Sequence, residues 1–351
     1  MSAQTGIEWC DSTFNPWMGC TKVSPACDHC YAERDTKRFG RVEWGAGKSR
    51  VRTSAANWKL PERWNDKPFY ACSCGARGES VFPCSASGYC DGIVAPARRR
   101  VFCASLADWL DNEVPIEWLV DLLDLIRRTP NLDWLLLTKR IGNWHGRLLA
   151  AMKWIEDHQR PINNDLHGWI LEWVAGNPPA NVWVGSTVIN QAEADRDVPK
   201  LLAVPARVRF LSIEPMLGAV DLRDLSTTAA EHATGLPVFI DALGGDTHTA
   251  DSVLETNEPR IDWIIAGGES GPHARPASLE AARSLRDQCA EAGVAFLWKQ
   301  WGEWLPMPDG YNSEWMESDE ICGKWDGENR RVGKKAAGRL LDGRTHDGFP
   351  K

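Results

Sequence analysis

From residue 101 onward, the apolar positions of the chain follow two alternating patterns. Short continuous apolar runs recur at 101–105, 134–137, 182–184, 208–211, 261–266 and 294–298. Runs of this kind, without regular polar alternation, match strands buried on both faces. Between them, apolar residues recur at helical spacing over 116–128 (Leu119, Leu122, Leu123 and Ile126), 144–157, 192–202 and 279–292. A connection rich in Asn, Pro and Gly separates the second helix from the third run, and 219–259 reads as an irregular insertion. Alternation of strand and helix predicts a parallel sheet covered by helices.

Polarity is concentrated where the apolar runs end. The residues that follow are Ser105, Lys139 with Arg140, Ser186, Glu214, Glu269, and Lys299 with Gln300. In a barrel the C-terminal ends of the strands face one mouth, and active sites are built there. Six such endings in succession predict one polar site. A doubly wound sheet also places ligands at strand ends. No glycine-rich dinucleotide fingerprint follows an early strand, so the expected fold is α/β, a partial TIM-type (β/α) barrel.

The region before the barrel has a different texture. Residues 1–68 read as a lead-in and loop. Residues 1–19 have no clear period, and a helix is expected over 32–39 with Gly40 ending it. Residues 69–97 read as a Cys-rich insertion carrying Cys72, Cys74, Cys84 and Cys90. This segment lacks apolar periodicity, so a zinc knuckle would give it a reason to be ordered; the other reading is an insertion with incidental thiols. The barrel core is expected over 98–302, opening on the charge run Arg98, Arg99 and Arg100, which reads as solvated or as a phosphate contact. Residues 303–351 form an extension with a basic cluster, Lys334, Lys335, Arg339 and Arg344. That cluster fits either a docking segment or a lid over an anionic substrate.

The most distinctive chemistry lies in Gly19-Cys20-Thr21-Lys22-Val23-Ser24-Pro25-Ala26-Cys27-Asp28-His29-Cys30-Tyr31. Six residues separate the first two cysteines and two separate the last two. Soft thiolates gathered on a short loop select zinc, copper(I) or an iron–sulfur cluster. A structural zinc site needs a fourth ligand, for which His29, Asp28 and Cys10 are candidates. A cubane cluster held by three cysteines leaves one iron free. Spacing leaves cluster, zinc and no metal all open.

Composition narrows the setting. The chain has 351 residues, 43 % of them hydrophobic, with 11 Cys and 19 Trp. No apolar run approaches a membrane span, and the N-terminus lacks the regions of a signal peptide. A cytoplasmic protein without a membrane partner is expected, with its cysteines as ligands or buried thiols. The net charge of −8 argues against non-specific coating of nucleic acid. The tryptophans read as core residues in preference to a base-stacking platform.

Taken with the motifs Thr5-Gly6-Ile7-Glu8-Trp9, Asn15-Pro16, Cys30-Tyr31-Ala32-Glu33, Leu137-Thr138-Lys139-Arg140, Ser212-Ile213-Glu214-Pro215, Gly267-Gly268-Glu269-Ser270-Gly271 and Lys299-Gln300-Trp301-Gly302, the cysteine loop resembles that of the phage- and prophage-associated three-Cys-motif proteins, and more broadly the radical S-adenosylmethionine superfamily. The resemblance spans nearly the whole chain but not the Cys72–Cys90 segment. It implies a [4Fe–4S] cluster on Cys20, Cys27 and Cys30 whose open iron binds S-adenosylmethionine. One-electron cleavage would then give methionine and a 5′-deoxyadenosyl radical, with the protein orienting the cofactors. An external electron donor is implied, with a nucleic-acid base or nucleotide as the candidate substrate and a partner protein as a further candidate. Trp9, Trp17 and Tyr31 would line the cluster, and Ser105 and Ser186 would contact the cofactor; by its own chemistry, and not by the resemblance, Glu269 after two glycines is suited to hold the methionyl ammonium. Lys139, Arg140, Glu214 and Lys299 would contact the substrate or the cofactor's carboxylate, with catalytic roles for Lys139, Glu214 and Lys299; the other reading of each is a structural ion pair at the barrel mouth. The first gap of six exceeds the superfamily's usual three, and His29 replaces its usual aromatic. The alternative from another class is a non-catalytic zinc- or iron–sulfur-binding protein that interacts with nucleic acid. Zinc-assisted hydrolysis is a further enzymatic alternative.

Overall fold

The computed structural model describes residues 5–38, 40, 42–80, 92–158, 164–226, 237–249, 252–307 and 328–350. Phe39, Cys84 and Cys90 lie outside the described residues. Packing divides the chain into two compact units: residues 1–22, 32–185 and 204–207, and residues 23–31, 186–203 and 208–351.

The first unit's strands and helices are β1 (Ser12–Phe14), β2 (Trp17–Met18), α1 (Tyr31–Arg38), β3 (Val51–Arg52), α2 (Ala55–Trp58), α3 (Leu60–Asn65), β4 (Tyr70–Cys72), β5 (Arg77–Gly78), β6 (Val94–Pro96), β7 (Arg99–Cys103), α4 (Ile116–Arg128), β8 (Leu132–Thr138), α5 (Trp144–Asp157), α6 (Asn164–Val174) and β9 (Val182–Thr187). The first residue of α1 and the last two of β9 belong to the second unit. That unit continues with α7 (Gln191–Leu202), β10 (Val208–Ile213), β11 (Leu225–Ser226), β12 (Phe239–Asp241), β13 (Asp246–His248), β14 (Val253–Thr256), β15 (Trp263–Ala266), α8 (Leu279–Ala292), β16 (Ala295–Trp298), β17 (Trp304–Pro306), β18 (Asn329–Arg331) and α9 (Lys334–Ala337).

Seven strands form one sheet in the order β1-β7-β8-β9-β10-β15-β16, and the pairs β1–β7, β7–β8, β10–β15 and β15–β16 run parallel. With helices in the crossovers, this is the mixed α/β fold of a partial (β/α) barrel. The expected helices 116–128, 144–157 and 279–292 form over those bounds. Leu119, Leu122, Leu123 and Ile126 of α4 are fully buried, which is why that period was legible. Ser278 caps α8 by accepting from the Ala281 N–H, and Gly293 ends it in the left-handed conformation.

Four expectations are corrected. The lead-in supplies β1, which pairs with β7 with Phe14 opposite Cys103; three residues are too short to show a period. The connection after α5 contains α6, whose Leu166, Ile170 and Trp173 are fully buried and four and three residues apart. The Trp173 indole donates to the Pro205 carbonyl and its ring meets that of Trp144 edge-on. Residues 219–259 contain the four antiparallel strands β11-β12-β13-β14.

The fourth correction concerns Arg98, Arg99 and Arg100. Arg99 and Arg100 lie within β7 and are buried. Arg99 pairs with Glu79 at 2.5 Å and lies over the rings of Phe69 and Trp64. Arg100 lies 3.6 Å from Asp11, and only Arg98 of the three is exposed enough to meet solvent freely. Internal pairing is the reason this run is not solvated: a buried guanidinium needs a counter-charge.

Within 69–97, the described residues form the small antiparallel sheet β5-β4-β6. The tail docks in the second unit. Asp347 bridges Leu297 antiparallel, His346 and Gly348 exchange backbone bonds with Trp298 and Phe296, and the Trp263 indole donates to the Gly348 carbonyl at 2.8 Å. The open edge of β16 is thereby covered. Trp17, Trp109, Trp134, Trp173, Trp263, Trp298 and Trp301 are fully buried core residues. Among the described residues, no helix is long and apolar enough to cross a membrane.

Candidate functional site at the strand ends

In the first unit, Gly19 sets the start of the cysteine loop. Its φ of +100° suits glycine, and a Cβ there would approach Val42 Cγ2 to 2.9 Å. The Gly19 N–H donates to the Leu106 carbonyl, just beyond β7. Cys20 follows and meets the tip of β8: Arg140 Nη1 lies 3.2 Å from its Sγ, and Arg140 Nη2 donates to the Thr21 carbonyl at 2.5 Å. Asp108 organises this tip. Its Oδ2 accepts from Arg140 Nη1 at 3.0 Å and from the Lys139 N–H at 2.9 Å, while its Oδ1 accepts from Thr138 Oγ1 and the Leu110 N–H. Burial, aided by the Asp108 charge and opposed by Arg140, pushes the Cys20 thiol up to about 12. Thr21 is also tied down, accepting from Arg50 Nη2 and donating to Glu113; Arg50, whose side chain is fully buried, pairs with Asp111 at 2.8 Å.

In the second unit, Cys27 and Cys30 flank His29. Ser24 caps the single 3-10 turn Pro25–Cys27, its hydroxyl accepting from the Ala26 N–H. His29 Nδ1 lies 3.1 Å from Glu269 Oε2, at the end of β15, and its ring faces His273 at 5.8 Å. Arg275 takes up the rest of that carboxylate. Its Nε donates to Oε2 and its Nη2 to Oε1, at 2.8 and 2.7 Å, and its backbone N–H also reaches Oε2. The same guanidinium donates to the Pro25 carbonyl and to Asp28. Burial works to raise the Glu269 carboxyl, but the bonds from Arg275 and His29 outweigh it and hold the group below the usual carboxylate range.

The two glycines before Glu269 serve packing. A Cβ on Gly268 would lie 2.0 Å from the Trp301 carbonyl oxygen, and one on Gly302 at the same distance from that of Glu269. A Cβ on Gly267 would touch Glu214 Oε1 at 3.0 Å. Glu214 pairs with Lys299 at 3.1 Å, both side chains retaining some exposure. Gln300 donates to Ser270 at 2.9 Å, while its Oε1 and Ser186 Oγ are buried without a partner among the described residues.

Ser105 accepts from Asn15 at 2.9 Å, so its hydroxyl helps hold β1. Tyr31 is 48 % exposed. Trp9 and Trp17 are buried. Cys72 is buried and Cys74 exposed, either side of Ser73 in the β4–β5 turn. An open cavity of about 540 Å³ is lined by Asp221, Arg223, Asp241, Asp246, His248 and Ser284, among others, and none of the strand-end residues lines it. Sequence reasoning missed Asp108 and Arg275. Asp108 lies three positions past Ser105, and extending the strand-end rule by one turn would have reached it. Arg275 lies six positions past Glu269, and nothing in the local pattern marks it.

Cys20, Cys27 and Cys30 form no disulfide among the described residues. Among the described residues, no three His, Cys, Asp or Glu side chains form a ready group around a metal ion. The fit of a cluster therefore rests on the chemistry of the donors: unoxidised sulfurs, one of them met by a guanidinium able to offset a thiolate's charge. No curated protein and no solved structure matches this chain. A family described as "Protein of unknown function (DUF5131)" matches residues 4–350, nearly the full length, and the chain belongs to that family.

Proposed function

We propose that this protein is a radical S-adenosylmethionine-type enzyme, with Cys20, Cys27 and Cys30 as the ligands of a [4Fe–4S] cluster. The observation that carries the reading is the footing of the cysteine loop. Cys20 rests on the tip of β8 through Arg140, and His29, between Cys27 and Cys30, rests on the tip of β15 through Glu269. Strand tips are where (β/α) folds assemble their chemistry. Once bound and reduced by an external donor, the cluster with S-adenosylmethionine supplies a 5′-deoxyadenosyl radical and methionine.

The chain's own groups have separate tasks. Arg140 places a donor on the Cys20 sulfur, a contact that stabilises a thiolate and tunes a metal centre through its outer shell. In the second unit, the Glu214–Lys299 pair offers charged groups to orient an anionic or hydrogen-bonding substrate such as a nucleotide. Ser186 and Gln300 each have a buried oxygen without a partner among the described residues, suited to a polar ligand. Both oxygens of Glu269 are engaged by Arg275 and His29, which favours a structural duty for Glu269 over contact with a methionyl ammonium.

The test is anaerobic reconstitution. The protein should turn brown, hold iron and sulfide in equal amounts, and on reduction convert S-adenosylmethionine to 5′-deoxyadenosine. A full cluster without that product refutes the activity. Colourless protein carrying only zinc supports the non-catalytic alternative.

A further inference from the structure

We propose that Arg275 is a positioning residue: a latch that fixes the Cys27–Cys30 arm before any metal arrives, with Glu269 as its anchor. The inference rests on the reading of Cys27 and Cys30 as metal ligands, and it concerns how two of the sulfurs are pre-arranged.

The geometry is that of a fork with a fixed handle. The backbone between Glu269 and Arg275 is itself held: the Gly271 N–H donates to Glu303, the Ala274 N–H to the Gly271 carbonyl, and the Trp304 indole to the Ala274 carbonyl. From this base Arg275 spends Nε and Nη2 on the two Glu269 oxygens, a bidentate match that orients the guanidinium plane. Its remaining donors reach the cysteine arm, Nη2 to the Pro25 carbonyl at 3.0 Å and Nη1 to Asp28 Oδ2 at 3.2 Å. Pro25 opens the 3-10 turn that ends at Cys27, and Asp28 follows Cys27 directly. His29 adds a second tie to Glu269. Every residue of the segment 25–29 except Ala26 and Cys27 is therefore held through its carbonyl or side chain by Arg275 or Glu269. The two exceptions are held by Ser24, through its hydroxyl and carbonyl respectively.

A lysine cannot replace this fork, because one ammonium cannot bind both carboxylate oxygens in plane and still reach Pro25 and Asp28. In this scheme Glu269 acts through Arg275, and the Gly267-Gly268-Glu269 turn exists to bring that carboxylate to the arm.

The test uses the full chain without metal. Amide exchange is measured for Cys27 and Asp28, whose N–H groups donate to the Ser24 and Pro25 carbonyls. Arg275→Gln is expected to speed both by about tenfold or more, and Arg275→Lys by less, with β10 and β15 unchanged. Cobalt(II), read by its thiolate absorption, is then expected to bind about tenfold more weakly to Arg275→Gln than to the parent protein. Unchanged exchange at Cys27 and Asp28 overturns the latch. Faster exchange with equal cobalt affinity overturns its positioning role. Faster exchange in a chain whose parent form takes up no cobalt leaves the latch in place and overturns the metal reading beneath it.

Discussion

Replacing Asp108 should damage the first unit more than any other single charge removal at the strand ends. Its carboxylate accepts four bonds, from Thr138, Leu110, Lys139 and Arg140. The side chains of Asp108 and Arg140 are 6 % and 9 % exposed. Asp108→Ala strands a buried guanidinium beside a thiol that is neutral at pH 7. Breaking one partner of such a pair costs about 3–5 kcal/mol. The three neutral donors lose an acceptor as well, at roughly 1 kcal/mol each and partly overlapping. A total near 5 kcal/mol would lower the urea midpoint by about 2 M, at a slope of about 2–3 kcal/mol/M. Asp108→Asn keeps one carbonyl oxygen and should lose about 3 kcal/mol. Removing both charges in Asp108→Ala with Arg140→Met should cost less than the sum of the single changes, by about 1–3 kcal/mol. Unfolding followed by tryptophan fluorescence measures all four. A loss below about 1 kcal/mol for Asp108→Ala, or strict additivity in the double variant, refutes the argument.

Three other outcomes follow from the same geometry. Gly268→Ala puts a Cβ 2.0 Å from a backbone oxygen and should cost about 3 kcal/mol or more, read as lost soluble yield or a lower midpoint; native-like stability would mean the turn opens easily. In metal-free protein, Cys20 should react with iodoacetamide about a thousandfold more slowly at pH 8 than a thiol at the ordinary 9.0, because burial pushes it up to about 12 and the thiolate is the nucleophile. Its rate should climb tenfold per pH unit up to about pH 11, and a plateau below pH 10, followed by mass spectrometry, would contradict that. Deleting residues 344–351 removes the bonds that cover β16 and the Phe349 ring 4.9 Å from Trp263. The bared edge should promote self-association visible by light scattering, and a monomer as stable as the full chain would show the tail to be dispensable.

Much of the fold was legible because burial imprints a period. The helices 116–128, 144–157 and 279–292 and the apolar strands are two-sided or one-sided packing problems, and the order of side chains records which faces are covered. Strand-end polarity was legible for a related reason: a barrel strand stops being apolar where it meets the mouth. The expected core role of the tryptophans holds for ten of the described ones, while seven others, Trp44, Trp154 and Trp183 among them, are only half-buried. What the order of residues did not carry was partnership. β1 is three residues long and becomes a strand through its pairing with β7. Arg99 and Arg100 look like a solvated run until Glu79, Asp11, Phe69 and Trp64 are brought against them. Glu269 looks like a free ligand until Arg275 closes on it. Asp108 and Arg140 are separated by 31 intervening positions in sequence and 3.0 Å in space. A local pattern reports how much of a side chain is buried. Which charge answers it is decided by residues far along the chain, through distances that only the folded state defines.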